Sequence, residues 1–442
     1  MGDESAETSV PTPTFREACR AYARIGLQSF GGPAAQIAVT RRILVDEKRW
    51  IDEERFSHAL NFCMLLPGPE ATQLATYVGW LLHGVRGGLA AGLLFILPGA
   101  LVMLALSTLY AVFGSALAVE ALFFGLKAAV LAVVADAVVR IGRKALKTRV
   151  HGVLAVLSFV ALFAFQVPFP LVIASAAAVG LAMRSPSPRA DRTTANAAGN
   201  APRPSIRRTL AVALTGIALW FAPVLLLFLW QGKDGLFVTQ GLFFSEVAVV
   251  TFGGAYAVLA YVQQRVVDGF GWISASQMLD GLGLAESTPG PLILVLQFVA
   301  FVGAYQHPGG LPPLVAGTIG AAICLWTTFV PCFVWIFVGA PWIERLRSVR
   351  ALSSALAAIT AAVLGVIANL ALWFSIHVLF GRVESVELGP ASVLVPVWST
   401  INLVATVIAA LALVAIFRYR VGLGWVLLAA AAMGAGVRLL DS

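Results

Sequence analysis

The chain has 442 residues, of which 59% are hydrophobic and 12% charged, with a formal net charge of +8. A soluble domain carries roughly twice that charged fraction. So much apolar surface excludes a water-soluble fold and makes lipid the main solvent. The positive charge sits in a few loops, which fits orientation in a bilayer and predicts no nucleic-acid partner.

Residues 1–14 are polar and read as a tail without the features of a signal peptide. About 20 mostly apolar residues make a spanning helix. That rule marks 89–113, 117–142, 150–166, 168–183, 208–230, 238–262, 313–338, 352–379, 391–417 and 421–437. Three further stretches, 15–39, 56–83 and 278–306, carry internal Gly, Pro and polar residues and read as broken or re-entrant helices, giving about thirteen segments. Residues 184–207, with Pro186, Pro188, Pro202 and Pro204, read as a cytoplasmic linker, and 208–230 as a connecting helix. The fold expected is all-α and polytopic.

Basic residues cluster at Arg140–Arg149, Arg184–Arg208, Arg345–Arg350 and Arg418–Arg420, while 231–237 and 380–390 are poor in them. With thirteen segments and a cytoplasmic N-terminus, all four clusters fall on the cytoplasmic side, as the positive-inside rule requires. The loop 41–55 balances five basic against five acidic residues, and its side is left open.

An internal repeat divides the chain. Phe30-Gly31-Gly32 recurs as Phe252-Gly253-Gly254, an offset of 252 − 30 = 222. At that offset Phe15 matches Phe237, Asp46 matches Asp268, Trp50 matches Trp272, and Pro67-Gly68-Pro69 matches Pro289-Gly290-Pro291. Farther on, Gln73 pairs with Gln297, and Pro98 with Pro331. The halves are 15–183 and 237–440. The basic cluster follows helix 117–142 in the first half but precedes its counterpart 352–379 in the second, so equivalent helices are expected to run in opposite directions. Inverted repeats with interrupted helices mark secondary transporters.

Gly-Gly loosens a helix and Pro-Gly-Pro stops one. A break exposes a helix N-terminus whose N–H groups and dipole favour an anion. Candidate substrate-binding residues at the breaks are Ser29, Gly31, Gly32, Gln36, Pro67, Gly68, Pro69, Glu70, Thr72 and Gln73, with Thr251, Gly253, Gly254, Thr288, Pro289, Gly290, Pro291 and Gln297 in the second half. The competing reading is close helix packing at Gly-Gly and a simple kink at Pro-Gly-Pro. Arg24, seven residues before Gly-Gly, is the candidate cation. Lys127 and Asp136 lie inside a spanning helix, where ionisable groups are costly, and with Glu70 they are coupling candidates; a structural ion pair is the alternative. Histidine and cysteine spacings suggest no metal, and no nucleotide-binding loop appears, so no cofactor is expected.

The run Phe30-Gly31-Gly32-Pro33-Ala34-Ala35-Gln36 and the run Leu66-Pro67-Gly68-Pro69-Glu70-Ala71-Thr72-Gln73 resemble the signatures of the chromate ion transporter family in its long, two-domain form. The resemblance implies a carrier of the prokaryotic inner membrane, driven by the membrane gradient, that exports chromate. It also supports Arg24, Gly31, Gly32, Gln36, Pro67, Gly68, Pro69, Glu70 and Gln73 as functional. The residues themselves imply a site for a tetrahedral dianion, so sulfate or another small anion is the alternative cargo. A membrane-embedded enzyme is the competing class, disfavoured because no catalytic constellation appears. Homo-oligomeric assembly is left open.

Overall fold

The computed structural model describes residues 13–114, 116–183, 205–343 and 350–440. Among the described residues the architecture is all-α apart from one β ribbon. Five helices are long and apolar enough to cross a membrane among the described residues.

The first half begins with α1 (Phe15–Gln28), started by a capping box between Thr14 and Glu17. After a bend at Ser29–Gly31 come α2 (Gly32–Arg41) and a π-helical turn, Arg42–Glu47. The Arg24 guanidinium lies 2.6 Å from the Glu47 carboxylate. A helix continuing straight would hold residues 23 positions apart at about 35 Å, so the chain reverses at Gly-Gly and forms a helical hairpin. A second hairpin follows. Asp52 caps α3 (Glu53–Cys63), Pro-Gly-Pro forms the tip, and the chain returns along α4 (Glu70–Phe113), bringing the Phe62 and Tyr77 rings to 5.3 Å.

Helix α4 itself reverses at His83–Gly84, where backbone angles leave the helical region. Its short arm, 70–82, packs against its long arm, 85–113, so tightly that a Cβ on Gly87 would stand 2.1 Å from the Gly79 carbonyl. Helices α5 (Leu117–Ala145), α6 (Arg149–Phe163) and α7 (Phe169–Ala182) complete the half, and α8 (Ile206–Gln231) leads to the second.

The second half repeats the order with α9 (Leu236–Val250), a bend, α10 (Ala255–Gln263), a π turn Gln264–Gly269, α11 (Ala275–Ser287), Pro-Gly-Pro, α12 (Val295–Gln306) and α13 (Pro313–Gly339). Then come α14 (Arg350–Leu379), the ribbon β1 (Val383–Leu388) and β2 (Ala391–Pro396), α15 (Leu403–Phe417) and α16 (Leu423–Leu440). Even small features recur at the offset of 222: the Lys48 N–H bonds to the Ile43 carbonyl, and the Phe270 N–H to that of Arg265.

Two expected spans are corrected. Residues 238–262 do not form one helix but split at Thr251–Gly254, because Gly254 takes φ +97 and ψ 172, a conformation open in practice only to glycine. Residues 391–417 do not form one helix either. Antiparallel pairing of Val383–Leu388 with Ala391–Pro396 takes the first six residues into a strand, and the helix starts at Leu403 under an Asn402 cap. Residues 184–204 of the expected linker, with Arg345 and Arg347 of the third basic cluster, lie outside the described residues.

The halves interlock by reciprocal contacts. The Gly68 N–H donates to the Thr251 carbonyl at 2.8 Å, and the Gly290 N–H donates to the Ser29 carbonyl at 2.8 Å. Residues 68 and 290, like 29 and 251, are repeat equivalents, so each Pro-Gly-Pro tip bonds the Gly-Gly tip of the other half. Contacts of this reciprocal kind define a two-fold relation. The hairpins of the two halves also insert from opposite ends of the long arm of α4. His83, at its start, contacts Phe15, whereas Tyr110, near its far end, bonds Asp280 of α11. The outer helices are exchanged likewise, α5 packing on α15 and α16, and α14 on α6 and α7.

Close approach in these crossings requires glycine. A Cβ on Gly125 of α5 would fall 1.9 Å from the Ala430 carbonyl of α16, whereas one on Gly152 meets nothing within 4 Å. Gly125→Leu is therefore expected to cost at least about 1–3 kcal/mol by overpacking and to lower the melting temperature in detergent. Gly152→Leu should leave it within a degree or two; equal melting of the two variants would refute the packing.

Candidate anion site

Behind the joined tips lies a cavity of about 460 Å³. Its walls come from both halves: Pro33, Ala34 and Ile37 of α2, Glu70 of α4, Gly253 through Tyr256 at the start of α10, and Arg140, Arg143, Lys144 and Lys147 at the end of α5 and just beyond. Three helix N-termini thus converge, those of α2, α4 and α10, and none has a side-chain cap. Their first-turn N–H groups lack intrahelical acceptors, and they carry the positive end of the helix dipole. Four cationic side chains stand in the wall against one carboxylate, Glu70. Donors and cations arranged this way suit a small, multiply charged oxyanion.

The candidate residues fall into two groups. Glu70, Gly253 and Gly254 line the cavity. The others build the junction that shapes it. Ser29 is wholly buried, and its hydroxyl donates to the Ile25 carbonyl. Gly31 and Gly32 have φ +77 and +73, which lets the chain turn into α2. Gln36 donates to the Gly290 carbonyl at 2.9 Å, and Gln73 to that of Pro67 at 2.6 Å. Gln297 reaches the Ala100 carbonyl across the halves at 2.9 Å, and Thr288 donates to that of Ala285. Pro69 and Pro291 cap the helical segments after each tip, and Gly68 packs against Cys332 as Gly290 packs against Gly99. Thr72 is wholly buried, with no hydrogen-bond partner for its hydroxyl among the described residues, and Thr251 bonds back to its own helix at Val247. Pro289 lies against Gly99.

Arg24 stands apart: it pairs with Glu47 at the mouth of its hairpin and is not part of the cavity wall. Nearby, Arg41 bridges Asp46 and Glu53, and its hydrogen bonds hold the Glu53 carboxyl below the usual range. Asp136 pairs with Arg140 one turn on, at 3.6 Å. Lys127 finds a partner that the spacing did not reveal. Its ammonium lies 3.3 Å from Asp280 and 2.7 Å from the Ser276 hydroxyl, joining α5 to α11.

Sequence reasoning assigned Arg140, Arg143, Lys144 and Lys147 to membrane orientation alone. Their place in the cavity becomes visible only when α5 is packed against the tip of the other half. Asp280 was legible in principle, as a carboxylate inside an apolar stretch, by the same cost argument that singled out Lys127.

Buried polar tips between two interlocked halves, reached through a charged cavity, suit a polytopic membrane transport protein. The chain belongs to the chromate transporter family, whose family model matches residues 16–181 and 238–435. It is 35% identical to a chromate transport protein of Pseudomonas aeruginosa over 373 residues, 83% of this chain and 82% of that one. A chromate transport protein of Cupriavidus metallidurans is 27% identical over 83% of this chain and 84% of its own length. An uncharacterized transporter of Bacillus subtilis is 32% identical over 162 residues, 36% of this chain but 82% of its own length. No solved structure matches.

Proposed function

We propose that this protein is a secondary active transporter of the prokaryotic inner membrane that exports chromate, a tetrahedral dianion, and so gives chromate resistance. In this reading the N-terminus and the basic cavity face the cytoplasm, and the halves form inverted repeats in the bilayer. The observation that carries it is the meeting of three uncapped helix N-termini and four cations around one cavity. The Lys127–Asp280 pair closes the opposite end, since residues 127 and 140–147 are separated by about 20–30 Å along α5. Rocking of one half against the other, about tips held by reciprocal bonds, would open that end and close the cavity. Glu70 competes with the anion for the same cations, and its displacement is the candidate coupling step.

The test is flux of labelled chromate in proteoliposomes under an imposed potential. Expected are saturable uptake when the cavity end faces outward and loss of uptake without the potential. Sulfate in excess separates the cargoes, because full competition at equal concentration makes the site one for divalent oxyanions generally. No flux above empty liposomes under any gradient would overturn the reading.

A further inference from the structure

Glu286 is the last acidic residue of α11, one turn before the second Pro-Gly-Pro, and it is 3% exposed. One of its carboxylate oxygens, Oε1, accepts from the Tyr256 hydroxyl. The other, Oε2, meets no hydrogen-bond partner among the described residues. No salt bridge to Glu286 is formed among them either. A buried carboxylate without a cation or a full set of donors is expensive as an anion, and neutralising it by a proton relieves that cost. The helices packed on α11 are α4, α5, α12, α14 and α16. The charged or titratable groups that act on Glu286 from them and from α10 are Tyr256, Arg140 and Asp136. Arg140 is already engaged by Asp136. The repeat equivalent of Glu286 is Met64, so this carboxylate belongs to one half only.

Tyr256 is part of the cavity wall, two residues after Gly254. Its single O–H can point to the Glu286 carboxylate or to an anion in the cavity, but not to both. We propose that Glu286 is a proton-binding site coupled to the anion through Tyr256. A proton arriving through the cavity forms an O–H bond on the Glu286 carboxylate, and that O–H then donates to the Tyr256 oxygen. The hydrogen bond between them reverses, and the Tyr256 O–H is freed to donate to the oxyanion. Proton and anion thereby strengthen each other's binding, as linkage demands. This rests on the reading of the cavity as an oxyanion site; the proton site itself does not depend on which oxyanion binds.

The experiment has two arms on the purified full chain. In the first, chromate binding is measured across about two pH units. Wild-type affinity is expected to rise about fivefold to tenfold from the alkaline to the acidic end. Glu286→Gln, which holds the donor arrangement of the protonated acid, should bind with the acidic-end affinity throughout. Tyr256→Phe, lacking the O–H, should bind with the weak alkaline-end affinity throughout. A wild-type slope retained in Glu286→Gln overturns the coupling. In the second arm, without any anion, infrared difference spectra between the two pH extremes should show a carboxylic-acid C=O band that Glu286→Gln abolishes. Survival of every such band in that variant overturns the proton site. A wild-type chain that binds no chromate at any pH sinks the oxyanion reading instead, and the infrared arm still decides the fate of Glu286.

Discussion

Lys127→Ala is expected to destabilise the protein by about 3–5 kcal/mol, the usual cost of removing one partner from a buried ion pair. The side chains are 22% and 5% exposed for Lys127 and Asp280, so solvent replaces little of what is lost. Among the described residues Asp280 would keep the Tyr110 hydroxyl, 2.8 Å from its Oδ2, while its Oδ1 would be left without a hydrogen-bond partner. The charge, not the contact, is then the liability. Removing it as well should therefore recover stability: Lys127→Met combined with Asp280→Asn keeps an acceptor for Tyr110 and leaves no buried ion. The double variant is expected to melt closer to wild type than Lys127→Met alone, with a coupling energy of about 2 kcal/mol or more. Thermal melts of the purified proteins in one detergent measure this. A single variant within about 0.5 kcal/mol of wild type, or a double variant showing the plain sum of the two singles, would mean that the pair is solvated and does not seal the far end.

Much of this architecture is written in the sequence, because a duplicated chain repeats its own punctuation. Phe-Gly-Gly and Pro-Gly-Pro at a constant offset mark both pairs of tips. What a break does to the chain afterwards is not local information. Gly31 and Gly32 permit a kink as readily as a reversal, and the decision is made by distant contacts, such as Arg24 with Glu47 and Gly290 with Ser29. The same limit explains 238–262, where two glycines inside apolar sequence leave the hydropathy of a continuous span intact. It explains Ala391–Pro396 too, since a short apolar run has no period that separates strand from helix. The site was half legible. Glu70 and the second Gly-Gly, named from their motifs, line the cavity, but a run of Arg and Lys after a spanning helix satisfies the positive-inside rule whether or not it also walls a cavity. The balanced loop 41–55 shows the converse. Its charges cancel in sequence and pair in space, Arg41 with Asp46 and Glu53, and Glu47 with Arg24.

Neutralising that wall should produce the largest functional effect. At an effective dielectric constant of 20, a unit charge about 8 Å from a dianion contributes about 4 kcal/mol before solvation and screening are subtracted. Exposed side chains retain only part of that, so each of Arg143, Lys144 and Lys147 is expected to contribute about tenfold in affinity, and their joint replacement by Gln about a thousandfold. Arg140 differs because Asp136 already holds it at 3.6 Å. Arg140→Gln alone should weaken binding less than Lys144→Gln, and Asp136→Asn should strengthen it by freeing the guanidinium. Because these contributions are electrostatic, affinity should fall with added inert salt, and the triple variant should lose most of that salt dependence. Isothermal titration with chromate at two ionic strengths measures both quantities. The helix N-termini supply the part that remains, since their N–H groups bind at short range and are little screened. If the triple variant bound with wild-type affinity and wild-type salt dependence, the cations would serve only to orient the chain in the membrane. The three converging N-termini would then have to hold the dianion alone.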